Sequence, residues 1–94
     1  MKITWSPTAI ADLASLRSYI AQDSPASASQ IAQRIQDAAH RLSQFPLSGR
    51  TGRIAGTREL VIPDTPYLAA YTLSDKEIRI AAILHGKQRW PERF

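Results

Sequence analysis

Cysteine is absent from this 94-residue chain, which excludes disulfides, thiolate metal sites and thiol nucleophiles and fits a reducing cytosol. Long apolar runs are missing too. No stretch of about 18 uninterrupted apolar residues occurs, so nothing reads as a membrane span. The start, Met1-Lys2-Ile3-Thr4-Trp5-Ser6-Pro7, lacks the apolar core of about 7–15 residues that an export signal needs, and the expected location is the cytoplasm. Neither a metal nor a cofactor is expected. Acidic residues are in short supply, 8 against 12 Lys and Arg, which leaves a formal charge of +4 and a pI near 10.0. That balance favours polyanionic or acidic partners, namely RNA, DNA, the ribosome or an acidic polypeptide.

What is present suffices for one compact domain, residues 1–94, and no more. A chain of this length buries only about 60–65% of the surface that its unfolded form exposes, so marginal stability or reliance on a partner is expected. With 44% apolar residues it is globular in composition. The positive charge is unevenly spread. Up to Phe45 the cations Lys2, Arg17, Arg34 and Arg41 are nearly matched by Asp12, Asp23 and Asp37, whereas Arg50, Arg53 and Arg58 lie in a glycine-rich stretch with no acid before Glu59.

Lys2-Ile3-Thr4-Trp5 is β-branched and aromatic and reads as an opening or edge strand. Ser6-Pro7 then has the form of an N-cap followed by proline at the first helical position. In the helix that follows, Ala9, Leu13, Leu16 and Ile20 form one apolar stripe, with Asp12, Ser15 and Arg17 expected to face outward. Ser24-Pro25 repeats the start signal, so a second helix begins almost at once. Its stripe is Ala28, Ile31, Ile35, Ala38, Leu42 and Phe45, and Pro46 is expected to end it.

Leu47 to Gly56 holds three of the four glycines and has no apolar period, which predicts a loop. Three strands are expected after it, Thr57 to Ile62, Tyr67 to Leu73 and Glu77 to Leu84, of which the last is the most apolar and is placed centrally with both faces covered. A polar tail runs from Gly86 to Phe94. The order β-α-α-β-β-β predicts an α+β fold, a helical hairpin packed on one face of a mostly antiparallel four-stranded sheet. The opposite face is expected to be partly open and rimmed by arginines.

Several short pieces, in this order, resemble the RelE/ParE superfamily of toxins from type II toxin–antitoxin systems. They are Trp5 with Ala9-Ile10-Ala11-Asp12-Leu13, Tyr19-Ile20, Phe45-Pro46 with Gly49-Arg50, Gly52-Arg53, Gly56-Thr57-Arg58-Glu59-Leu60-Val61, and Ile83-Leu84-His85-Gly86 with Trp90-Pro91. The resemblance covers nearly the whole chain. It implies a growth-inhibiting cytoplasmic toxin held in a hetero-oligomer with a cognate antitoxin. Two targets occur in the family: RelE-like members cleave mRNA on the ribosome as mRNA interferases, and ParE-like members poison DNA gyrase.

Cleavage of RNA by its own 2′-oxygen needs a base, a proton donor to the leaving oxygen and cations on the phosphate. His85, at the end of the predicted central strand, is the candidate catalytic residue if the chain is an mRNA interferase. Its bland alternative is a partly buried ring bonded to backbone. His40, beside the apolar stripe of the second helix, is expected to have a surface or packing role. RelE-like nucleases usually carry an arginine in an Arg-Leu-Val-Tyr type segment of the third strand. Here that segment is Tyr67-Leu68-Ala69-Ala70-Tyr71, and Leu68 stands at the arginine position.

The candidate nucleic-acid or target contacts are Arg50, Arg53, Arg58, Lys87 and Arg89. The candidate antitoxin contacts are Arg50, Arg53, Arg58 and Trp90. Trp90 and Phe94 have a competing reading as caps on the edge of the core. The chain resembles ParE-like members more in its long helical hairpin and incomplete basic set, which implies gyrase rather than the ribosome as the expected target. A histidine near the place of His85 occurs in both groups and does not discriminate.

Overall fold

Ser6 controls how the chain leaves its first strand. In the computed structural model, which describes residues 1–94, β1 (Lys2–Trp5) ends at Ser6, whose Oγ accepts the Ala9 N–H at 3.0 Å and caps α1 (Pro7–Ala21). Pro7 occupies the first turn, where a missing N–H costs no intrahelical bond. Ser24 and Pro25 repeat the arrangement at the start of α2 (Pro25–Arg41), with Ser24 Oγ accepting the Ser27 N–H at 3.2 Å. The two helices lie against each other and against the sheet through their apolar stripes, in which Ala9, Leu16, Ala28, Ile35, Ala38 and Leu42 are buried.

Two expectations about the helices are corrected. Phe45 is not part of the packed stripe: α2 gives way to a turn after Arg41, and Phe45 is 61% exposed. The residue before a proline is driven out of the helical region, so Pro46 acts upstream of itself. Asp12 does not face solvent either. Its Oδ2 accepts the backbone N–H of Ile83 at 3.0 Å.

Four further strands complete the sheet: β2 (Arg50–Thr51), β3 (Arg58–Val61), β4 (Tyr67–Leu73) and β5 (Glu77–His85). The order is β1-β5-β4-β3-β2, with β1 parallel to β5 and every other neighbouring pair antiparallel. The fold is thus α+β, two helices on a mostly antiparallel sheet. The stretch expected as a loop contributes a fifth, two-residue strand, because Arg50 and Thr51 pair with Glu59 and Arg58. β5 lies between β1 and β4, as its apolar character requires.

Pairing of β4 with β5 slips once. Ala70 faces Ala82 but Tyr71 faces Ile80, so Ala81 is the extra residue of a β-bulge. Side chains alternate along a strand, and the extra residue switches the alternation. Ile78 and Ile80 before the bulge and Ile83 after it all join the helix-side core with Ala69, Tyr71 and Ile62. Ala82 and Leu84 point the other way and form a small second cluster with Leu68 and Ala70. Trp90 packs on that cluster, so the chain's own tail covers part of the face expected to stand open.

Short polar links hold the bulge and the loop. Ser6 Oγ donates to the Ala81 carbonyl at 2.8 Å, and the Ser6 N–H donates to the Ile80 carbonyl at 2.9 Å. β1 stops short of β5's second half, and Asp12 supplies the acceptor that a strand would otherwise have given Ile83. Tyr71 is fully buried, and its hydroxyl accepts the Gly49 N–H at 2.9 Å and donates to the Pro46 carbonyl at 2.8 Å. A Cβ on Gly49 would stand 2.6 Å from the Tyr71 ring, so only glycine fits there.

Ser6→Ala removes a helix cap and the bulge's hydrogen-bond donor together. The expected loss is about 2 kcal/mol, roughly 1 from each, read as a lower urea midpoint at unchanged slope. An unshifted midpoint would show that neither contact matters to folding.

Candidate contact surface

Register puts one carboxylate beneath the arginine-rich loop. Arg50 on β2 pairs with Glu59 on β3, which pairs with Ala70 on β4, so Glu59 points to the face away from the helices. Glu59 is only 3% exposed. Its Oε1 accepts from Arg50 Nε at 3.2 Å and from the terminal nitrogen Nη2 at 3.1 Å, while Oε2 accepts the Arg53 backbone N–H at 2.8 Å. Arg53 Nε lies 3.4 Å from the same oxygen. Burial alone would raise this carboxyl's pKa. The Arg53 backbone bond, the Arg50 side-chain bond and the charges of both arginines outweigh it and hold the group below its ordinary 4.5.

Arg53 makes a second contact with its flat face. The guanidinium carbon sits 3.4 Å from the centre of the Trp90 ring, a cation–π stack. Arg50, Glu59, Arg53 and Trp90 therefore form one connected chain of contacts that ties the tail to the sheet. Both arginines keep about half of their side chains in solvent, 58% for Arg50 and 47% for Arg53. Lys87 and Arg89 are exposed on the tail.

Arg58 is placed differently. Its partners in register are Thr51 and Tyr71, so it points to the helix side, where Nε donates to the Gly49 carbonyl at 2.9 Å and Nη2 to the Leu47 carbonyl at 3.2 Å. Its guanidinium braces the loop. His85 also lies on the helix side, two residues beyond Ile83, with its ring against the edge of Tyr67 at 5.5 Å. Nδ1 of His85 accepts the Lys87 N–H at 3.0 Å, and the His85 N–H donates to Gln88 Oε1 at 2.7 Å. In the neutral ring the proton is then on Nε2, which can donate but has no free lone pair. Burial, and secondarily Tyr19, raises the neighbouring Tyr67 phenol above its ordinary 10.0, so it is protonated at neutral pH.

The sequence-predicted residues are thus divided between two faces. Arg50, Arg53 and Trp90 meet on the far face, and His85 and Arg58 lie on the helix side. His40 is exposed on α2, beside a cleft of about 460 Å³ that also touches Trp5, Ile10 and Arg17. No group of three or more His, Asp or Glu side chains converges where a metal could bind. No helix is long and apolar enough to cross a membrane. Sequence reasoning missed Glu59 as the organiser, although the one acid closing a run of three arginines was its visible signal.

These features define a small basic α+β domain that presents arginines and a tryptophan on the sheet face opposite its helices. Comparison with known proteins agrees with that class and narrows it. The family model described as "ParE toxin of type II toxin-antitoxin system, parDE" matches residues 3–90. Y4kP of Sinorhizobium fredii is 38% identical over 91 residues, covering 97% of this chain and 94% of that protein. Toxin RelE2 of Caulobacter vibrioides is 38% identical over 85 residues, covering 90% and 94%. A solved chain described as a chromosomal ParDE TA system from P. aeruginosa superposes with a TM-score of 0.82 at 28% identity, covering 90% of this chain and 95% of that one. The chain belongs to the RelE/ParE superfamily of toxins of type II toxin–antitoxin systems.

The Glu59 cluster gives stability a pH dependence of known sign. The folded pKa lies below the unfolded one, so this contribution is complete above the ordinary carboxylate range and is lost as pH falls through 4.5 toward the folded value. Urea unfolding is expected to show stability dropping between about pH 6 and pH 3, with a shallower drop in Glu59→Gln, which is also less stable at neutral pH by about 1–3 kcal/mol. Identical pH slopes in the two proteins would remove Glu59 from this role.

Proposed function

We propose that this toxin arrests growth in the cytoplasm by poisoning DNA gyrase in the manner of ParE, and that a cognate antitoxin neutralises it by covering the far face. The carrying observation is the division of the would-be nuclease residues. His85 points to the helix side with Nδ1 already occupied, and Arg50 and Arg53 point to the far side, already paired with Glu59. Leu68, at the position of the usual RelE-like arginine, is buried in the small cluster and cannot hold a phosphate. General acid–base cleavage needs its groups to converge on one scissile bond. The match to the ParE family model and the likeness to the P. aeruginosa ParDE chain support the same reading.

On this reading Arg50, Arg53, Lys87, Arg89 and Trp90 are contact residues and not a reaction centre. For the antitoxin, the half-exposed guanidiniums of Arg50 and Arg53 offer acidic side chains a preformed site, with Trp90 beside them as the apolar anchor. Arg58 contributes by bracing the loop that carries the other two.

The test pairs two assays on purified toxin. Gyrase is expected to accumulate cleaved DNA and lose supercoiling activity, while mRNA on translating ribosomes stays whole, and His85→Ala is expected to retain the gyrase effect. Codon-positioned mRNA cuts that fall roughly 100-fold in His85→Ala would overturn the proposal in favour of an mRNA interferase. Full gyrase activity at saturating toxin would also overturn the proposal, without by itself favouring mRNA cleavage.

A further inference from the structure

Beyond the tryptophan, the tail runs on over the far face and closes a second cleft, lined by none of Arg50, Arg53 and Glu59. Arg79 of β5 has Thr4 of β1 and Thr72 of β4 as its register partners, so these three residues make one polar row across the sheet. Arg79 precedes the bulge and alternates with Ile78 and Ile80, which places the row on the far face. Arg93 and Phe94 of the tail and Thr8 of α1 complete a cleft of about 600 Å³ with Arg79 and Thr72. That volume falls within the range of small-ligand sites, about 300–1,000 Å³.

The electrostatics of this cleft set it apart. The molecule's ion pairs are Arg34–Asp64, Arg50–Glu59 and Arg53–Glu59, so Arg79 and Arg93 have no carboxylate partner. Of the five clefts, this one alone combines two arginines with no Asp or Glu in its lining. The cleft between α2 and the β3–β4 turn also has two arginines, but Asp37 and Asp64 line it with them. Within the row, the Thr4 hydroxyl is buried without a hydrogen-bond partner. Phe94 is 46% exposed, an aromatic ring left in solvent next to two unpaired guanidiniums.

Unpaired guanidiniums recognise phosphate oxygens with paired N–H donors, hydroxyls add further donors, and an exposed aromatic ring offers a surface on which a base stacks. A duplex keeps its bases stacked inside and would leave Phe94 unused. We infer that the cleft between Arg79, Arg93, Thr72 and Phe94 is a binding site for single-stranded nucleic acid, with a phosphodiester between the arginines and a base against Phe94. This site does not depend on whether gyrase or the ribosome is the target, since it rests on the charge and shape of the cleft alone.

The test is a titration of the full chain with a fluorescein-labelled oligo(dT) of about ten nucleotides, followed by anisotropy at several salt concentrations. Arg79→Gln/Arg93→Gln is expected to weaken binding roughly tenfold or more and to reduce the salt slope by about 0.7, because the phosphodiester between the two arginines is no longer neutralised. Phe94→Ala is expected to weaken binding about fivefold or more. The control, Arg17→Gln/Arg41→Gln, removes the same charge from the exposed helix surface and is expected to bind like the parent. Equal weakening in the two double variants would reduce the effect to net charge and overturn the site. An absence of binding would also overturn it, as would an oligoglutamate of equal length that bound as tightly, which would make the occupant an acidic protein segment. Amide shifts in the unmutated chain provide a readout that no folding defect can blur: Thr8, Thr72, Arg79 and Arg93 should move on adding oligo(dT). Shifts confined to the Arg50–Arg58 loop would place the strand elsewhere and reject the cleft.

Discussion

One extra residue in β5 governs which side chains of this protein can act together. The bulge at Ala81 switches the facing of everything after it, so Ile83 joins the helix-side core while Ala82 and Leu84 build the small cluster on the far face. Without it, the alternation set by Ile78 and Ile80 would carry His85 to the far face, alongside Arg50 and Arg53. With it, the histidine lies beside Tyr67 on the helix side. Ser6 holds the switch in place by donating to the bulge carbonyl while it caps α1, so the first turn of the chain and its last strand share one side chain.

The far face is organised around a second constraint, the nearly buried carboxylate of Glu59. An unpaired charge at that depth would be costly, and two arginines with a backbone N–H satisfy it. In return the carboxylate fixes the arginines' positions and leaves the Arg53 plane free to stack on Trp90. The basic loop is thereby tied to the sheet, and the tail is pinned over the small apolar cluster. With few residues to spare for a core, this small domain uses one carboxylate and one tryptophan to order both its loop and its tail.

The same arrangement relates the toxin class to its surface. A protein that acts by binding needs fixed, half-exposed cations and aromatic anchors, which the far face provides. A nuclease needs an acid, a base and phosphate-binding cations around one bond, and the register distributes those residue types over two faces. Arg79 and Arg93 add a cationic cleft at the far end of the same face, so the side away from the helices carries both clusters of arginines.

Local chemistry alone determined much of this protein. The two Ser-Pro starts, the 3-4 spacing of the helical stripes, the apolar strands and the glycine-rich break predict nearly every element, because caps, periodicity and turn residues act over a few positions. The resemblance of those same pieces to RelE/ParE toxins reached the right family. Only the tertiary structure decided the facing of His85, the inward turn of Asp12, the pairing of Glu59 with Arg50 and Arg53, and the partial covering of the far face by Trp90. The reason is physical: Ile80-Ala81-Ala82-Ile83-Leu84 is apolar throughout, so a one-residue slip leaves no trace in its pattern, and a salt bridge across two strands exists only once their register is set.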